Sequence, residues 1–167
     1  YYHLQTLNDL FGCSITASTT FDQCEQVANA CMPIYYQLRR DAGNALVFYI
    51  DDTANRILDQ KGEERPNRNG KGTRMRTGIY TSGMIAITQT GKRIYLYHTS
   101  LGHAGEFLDE ILALRDANLP APIIMSDALS SNLPTVSTPT VIALCNAHAR
   151  RQFFGIVDQY PEELEPL

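Results

Sequence analysis

Two aspartates in this chain each follow a short run of buried-strand character. Leu46-Val47-Phe48-Tyr49-Ile50 leads into Asp51-Asp52, and Ala121-Pro122-Ile123-Ile124-Met125-Ser126 leads into Asp127. Apolar, β-rich runs of this length read as core strands. A carboxylate at the end of such a strand sits at the rim of a sheet, where open α/β folds gather their chemistry. Two carboxylates on neighbouring strand ends can share divalent ions, and shared ions drive in-line phosphoryl chemistry. Asp also caps turns and helices, and spacing alone favours that plainer use. Adjacent strand residues point to opposite faces, so only one of Asp51 and Asp52 can face Asp127.

The other reactive residue types narrow the chemistry. Cys13, Cys24, Cys31 and Cys145 contain no C-x-x-C pair. Three of them fall in a helical stretch among apolar neighbours, where buried free thiols in a reducing compartment are expected. Cys145 and His148 have ligand-like spacing, but no second pair accompanies them, so a structural zinc site is not expected. No glycine-rich phosphate loop, nucleophile elbow or paired-His motif is present, which leaves nucleotide hydrolysis, acyl transfer and zinc proteolysis unsupported.

The net charge of -4 conceals an asymmetry. Between Arg56 and Arg93 nine basic residues face three acidic ones, a net of +6 against -10 elsewhere. A basic strip on an acidic protein suits an anionic polymer, although basic loops are also common without one. No apolar run approaches the roughly 20 residues that span a bilayer. The start Tyr1-Tyr2-His3-Leu4 is not a secretory signal. A chain of 167 residues suffices for one domain with a substantial core, with or without a small appendage.

The elements that must position the aspartates can be read along the chain. Leu4, Leu7, Leu10 and Phe11 have helical spacing, and Ser18-Thr19-Thr20 offers N-caps for a second helix. In that second helix Pro33 is expected to make a kink or a break. A strand over about 46–52 follows. The stretch from Lys61 to Arg74, rich in Gly, Asn, Pro, Lys and Arg, reads as a mobile loop. Ile79 to Thr88 and Arg93 to His98 form a hairpin, and His103 to Asp116 an amphipathic helix. The strand ending at Asp127, a Ser- and Pro-rich connection, a strand over Val141 to Cys145 and a helix from about Asn146 to Gln159 complete the order. Three hairpin-linked strands followed by alternating helices and strands imply a mixed sheet with helices on its faces.

Five strings in this order resemble the catalytic region of insertion-sequence DDE transposases of the insertion-sequence-66 family. They are Asp51-Asp52-Thr53, Thr77-Gly78-Ile79-Tyr80-Thr81-Ser82-Gly83, His103-Ala104-Gly105-Glu106, Ser126-Asp127-Ala128-Leu129-Ser130-Ser131-Asn132 and Cys145-Asn146-Ala147-His148-Ala149-Arg150-Arg151-Gln152-Phe153. The resemblance runs from roughly Phe11 to the C-terminus. It implies an α/β, ribonuclease H-like mixed five-stranded sheet flanked by helices, with the first and fourth strands side by side and parallel. The expected domains are a helical N-terminal segment, 1–42, and a ribonuclease H-like catalytic domain, 43–167.

The implied activity is metal-dependent DNA cleavage and strand transfer, with two Mg²⁺ (or Mn²⁺) ions in the complete enzyme. Asp51 and Asp127 match the first and second catalytic acids. Glu106 is a candidate third metal ligand, because ribonuclease H enzymes place a Glu on this helix. The helix dipole alone would also favour Glu106 there. The family's third acid is a Glu well beyond the Cys-x-x-His-x-Arg-Arg string. The chain stops at Leu167, so the expectation is a truncated transposase, inactive in strand transfer. The implied partners are transposon-end and target DNA and further copies of the chain, in the bacterial cytoplasm near the nucleoid, with no membrane. Lys71, Arg74, Arg76, Arg150 and Arg151 are the candidate DNA contacts. A self-contained ribonuclease H-like nuclease using Glu106 is the alternative, as is a catalytically dead DNA-binding remnant. Glu162, Glu163 and Glu165 read as solvated tail residues.

Overall fold

The computed structural model describes residues 1–57, 60–67 and 71–161. Its elements, in chain order, are helices α1 (Tyr2–Leu10) and α2 (Ala17–Gly43), then strands β1 (Val47–Asn55), β2 (Glu63–Pro66), β3 (Thr73–Arg76), β4 (Ile79–Ile87) and β5 (Arg93–Ser100). Helix α3 (Ala104–Leu112), strand β6 (Ile123–Ser126), a 3-10 turn (Ser130–Asn132), strand β7 (Val141–Leu144) and helix α4 (Asn146–Phe154) follow. The chain divides into two compact units, Tyr1–Leu38 and Arg39–Leu167.

In the first unit Thr16 is the residue that caps α2. Its hydroxyl accepts from the Thr19 N–H at 3.1 Å, which puts the cap two residues before the Ser18-Thr19-Thr20 string. Helix α2 runs through Pro33 without a break. Proline removes one N–H from the ladder, and 27 residues of helix absorb that loss. The expectation of buried thiols fails here, since Cys13, Cys24 and Cys31 are exposed and Cys145 is half-buried.

The second unit is built on a mixed five-stranded sheet in the order β5-β4-β1-β6-β7. Strands β1, β4 and β5 are antiparallel neighbours, whereas β1–β6 and β6–β7 are parallel. This is the ribonuclease H-like arrangement, with helices flanking the sheet. Strand β1 extends to Asn55, past the expected end at residue 52, because β4 keeps pairing with it as far as Asn55↔Ile79.

One face of the sheet carries the core. Phe48, Ile50, Met84, Ala86, Leu96 and Ile124 alternate inward along four strands and are buried. Phe107, Leu108, Ile111 and Leu112 of α3 are buried with them. Fully burying a large apolar side chain stabilises by roughly 1.5–3 kcal/mol, so this layer dominates the stability of the unit. Arg115, just beyond α3, ties the layers by donating to the carbonyls of Gly43, Ala45 and Pro120 at 2.7–2.9 Å.

The stretch expected as a loop between Lys61 and Arg74 is in part a second sheet. β2 and β3 pair antiparallel from Glu63↔Arg76 to Pro66↔Thr73. Composition pointed to a loop because Gly, Asn and Lys dominate the tip. The pairing residues are instead held by side chains, with Asn67 donating to the Lys71 carbonyl and Thr73 to Glu64. Arg68 lies outside the described residues, as do Glu162, Glu163 and Glu165.

Candidate active site

The parallel β1–β6 register pairs Val47 with Ile123 and Tyr49 with Met125. Two residues further on, the same register and the same face bring in Asp51 and Asp127. Both line one cavity of about 280 Å³, together with Tyr49, Gly83, Tyr97, Met125, Cys145 and His148. Gly83 lies across from Asp51 on β4. A Cβ there would meet the Tyr97 ring at 3.4 Å, so the glycine keeps this side of the cavity open.

The two carboxylates are held differently. Asp51 is 56% exposed, and its Oδ2 lies 3.5 Å from His148 Nε2. Its Oδ1 accepts the Asp52 N–H at 2.9 Å. Asp127 Oδ1 accepts from the Leu129 N–H at 3.1 Å and from Asn132 Nδ2 at 2.9 Å. Asn132 is itself buried, so the turn after β6 fixes the Asp127 side chain. Cys145 precedes α4, where the backbone N–H of His148, then the His148 imidazole and the Ala147 N–H, hold its thiol below the usual value.

Asp52 points the other way. Its carboxylate is 11% exposed and receives His103 Nδ1 at 2.8 Å and the Ala104 N–H at 3.3 Å. His103 stacks against Tyr80 with ring centroids 4.0 Å apart. Glu106 reaches back to the His103 N–H at 2.9 Å, closing the first turn of α3. Both its oxygens also lie within 2.6–2.7 Å of Arg76 Nη1. Gly102 makes room for this, since a Cβ there would sit 2.7 Å from Glu106 Oε2.

Of the residues singled out by sequence, Asp51 and Asp127 share a cavity, and Glu106 does not line it. Glu106 caps α3 and pairs with Arg76, on the face where Asp52 lies. Among the described residues no group of three or more His, Cys, Asp or Glu side chains is arranged to hold a metal ion. Arg74 and Arg76 line a separate cavity at the β2–β3 hairpin. Lys71 leads into β3, and Arg150 and Arg151 are exposed on α4, with Arg150 5.7 Å over the Phe154 ring. The Asp52–His103 and Arg76–Glu106 pairs were not anticipated. His103 and Glu106 stand three residues apart, which is capping-box spacing, and that was the available signal.

Asp51 and Asp127 offer hard oxygen donors, the type that Mg²⁺ and Mn²⁺ prefer. Asp127 Oδ2 takes no hydrogen bond among the described residues and Asp51 Oδ2 faces the His148 imidazole at 3.5 Å, so the two carboxylates supply the type of oxygen donor that a divalent cation uses. Among the described residues no helix is long and apolar enough to cross a membrane.

The family model described as Transposase IS66 family matches residues 1–165. Comparison with curated proteins gives no match, and comparison with solved structures gives none.

Proposed function

The chain belongs to the IS66 family of transposases, and from that premise we propose that Arg39–Leu167 is a catalytic core for DNA strand cleavage and strand transfer. The observation that carries this reading is the cavity shared by Asp51, within β1, and Asp127, just after the parallel neighbour β6. Asp51 and Asp127 are the proposed catalytic acids and the residues that would hold Mg²⁺ or Mn²⁺. Bound there, such ions would stabilise charge on the attacking and leaving oxygens of an in-line displacement.

The residues themselves have separable tasks. Asp127, fixed by Leu129 and Asn132, offers a carboxylate whose position costs little to maintain during the reaction. Asp51 is more exposed and is oriented by its own strand and by His148. In the first step a water oxygen attacks the phosphodiester phosphorus, the bond to the leaving 3′-oxygen breaks, and the free 3′-hydroxyl is released. In the second that hydroxyl attacks a phosphorus of target DNA and displaces another 3′-oxygen. Lys71, Arg74, Arg150 and Arg151 are the proposed contacts to the DNA backbone. Arg76 belongs to the same basic set, with its charge already answered by Glu106.

The test is Mn²⁺ binding read by proton relaxation, beside Mn²⁺-dependent cleavage of labelled duplex DNA read on denaturing gels. Both signals are expected to weaken strongly in Asp51→Asn and in Asp127→Asn. Mn²⁺ binding unchanged in both variants would sink the site assignment. Cleavage that is lost on Glu106→Gln, with the fold intact, would favour the self-contained nuclease instead.

A further inference from the structure

Helix α2 carries an apolar stripe that is largely uncovered. Cys24, Val27, Ala28, Cys31, Ile34 and Leu38 recur at the three- and four-residue spacing that puts side chains on one side of a helix. All but Leu38 are exposed, Val27 and Ile34 at 63% each. Asp22, Glu25, Gln26 and Asn29 fall on the other side by the same spacing. So does Pro33, which keeps its ring and its missing N–H away from the stripe. The buried residues of α2 are Ala42 and Gly43, past the end of the stripe.

Within the first unit, α1 meets the beginning of α2. The Tyr1 ring packs edge-on against Phe21 with centroids 5.4 Å apart, and Gln5 Oε1 accepts the Ala17 N–H at 3.0 Å. The stripe beyond Phe21 stays open. A helix owes most of its stability to burial of an apolar face, and contiguous exposed apolar surface marks a protein-binding region. DNA does not suit this unit. Residues 1–38 contain no Lys or Arg and three acids, Asp9, Asp22 and Glu25, whereas DNA is bound through cations.

The surface that complements the stripe is the same stripe reversed. Laid antiparallel on a second copy, with a two-fold axis at the level of Asn29, Cys24 stands opposite Ile34 and Val27 opposite Cys31. Every layer then pairs a small side chain with a branched one, and facing helices interdigitate on that alternation. A parallel pair would set Cys on Cys and Ile on Ile, with thin layers beside thick ones. The charges agree with the antiparallel choice. Asp22 and Glu25 lie toward one end of α2 and Arg39 and Arg40 toward the other. Antiparallel pairing brings the acidic end of one copy to the basic end of the next, whereas parallel pairing sets like beside like.

We propose that α2 is a dimerisation helix, its stripe from Cys24 to Ile34 packed antiparallel on the same stripe of a second copy of this chain. The contact is isologous, so it closes at two copies. From Cys24 to Leu38 the stripe is about 20 Å long at the helical rise, too short for a standard-sized interface. Association is therefore reversible and depends on concentration. It uses no part of the proposed active site.

The test is sedimentation velocity of the whole chain, without DNA or metal, over a concentration series reaching about 100 µM. A monomer–dimer equilibrium is expected. Val27→Lys puts a charge into two layers of the contact and is expected to raise the dimer Kd by roughly tenfold or more. Lys is a better helix former than Val, and Val27 is exposed within the chain, so circular dichroism is expected to show the helix intact. Gln26→Lys makes the same charge change on the polar side and is expected to leave the Kd unchanged. Orientation is read with a short bismaleimide in a Cys13→Ser, Cys145→Ser background. Cys31 lies near the axis and is expected to link the two copies, so the link survives Cys24→Ser and is lost in Cys31→Ser. A wild type that stays monomeric throughout overturns the proposal, as does a Val27→Lys dimer as tight as the wild type. A link that survives Cys31→Ser, or none in the background itself, overturns the antiparallel arrangement.

Discussion

Asp51 and Asp52 are neighbours of one type on one strand, and the two faces of the sheet put them to opposite uses. Under α3, Asp52 is mostly buried and takes two hydrogen bonds from the start of that helix. Around it the polar groups come in matched pairs, Asp52 with His103 and Glu106 with Arg76. On the other face Asp51 is mostly exposed beside Asp127, among tyrosines that are themselves exposed. A face whose charges are mutually satisfied holds the fold. A face that leaves carboxylate oxygens open to water is where a cation and a substrate can be bound. The pleat of a single strand makes that separation.

The comparison is broken most directly through packing. Phe107→Ala removes a fully buried ring from the layer under α3 and is expected to destabilise the protein by about 3–5 kcal/mol in urea melts. Tyr97→Ala on the open face is expected to change stability by no more than about 0.5 kcal/mol, the usual range for surface positions. A Tyr97→Ala loss as large as that of Phe107→Ala would mean that the second face is packed in solution.

A second pair of variants separates the adjacent carboxylates. Asp52→Asn leaves donors at His103 and Ala104 facing an amide, and is expected to cost about 1–3 kcal/mol. Asp51→Asn is expected to leave the melting curve within about 0.5 kcal/mol of wild type while weakening Mn²⁺ binding. Equal effects of the two on stability would erase the distinction between the faces.

What the sequence disclosed follows the same division. Alternating apolar residues and the order of hairpins and helices were legible because each is a local pattern with a fixed period, whereas the end of β1 was not, since Asp51 lies inside a strand that β4 carries on to Asn55. The parallel β1–β6 pairing was reachable only through the family resemblance, since it joins residues more than seventy positions apart. The hairpin at β2–β3 was missed because its composition signals a loop, and its pairing depends on cross-strand contacts that no local pattern encodes. Arg76 and Glu106 were each noticed, as a DNA contact and as a metal ligand. Their mutual pairing needs the hairpin to fold back over α3, which composition alone cannot show. The exposed thiols of α2 show the same limit, because helical spacing says which residues share a side and not what covers it.

A smaller effect tests the packed face through pH. His98 of β5 stacks on Phe107 with centroids 4.9 Å apart and is driven below its ordinary value of 6.5, first by burial. Glu110 pulls the other way, and Arg39 adds to the lowering. The unfolded chain therefore takes up the proton before the folded one does. Above 6.5 both states hold neutral His98, and as pH falls through and below that value the folded state loses ground. Urea midpoints are expected to decline between pH 7.5 and 5.5, and less so in His98→Gln. An identical pH dependence in the variant would mean that His98 is not the group responsible.

The smallest expected effect is on the open face, at Cys145. Its thiol is held below the ordinary value of 9.0, first by the backbone N–H of His148, then by the His148 side chain and the Ala147 N–H. Thiolate is the reactive form, so the pH at which alkylation by iodoacetamide reaches half its limiting rate reports this directly. That midpoint is expected to lie below 9.0 for Cys145. His148→Ala is expected to move it up only part of the way, because the amides at the start of α4 remain when the imidazole is removed. A full return to the ordinary value would assign the effect to the imidazole. No movement would assign it wholly to the backbone, and would leave the His148 ring to face Asp51 alone.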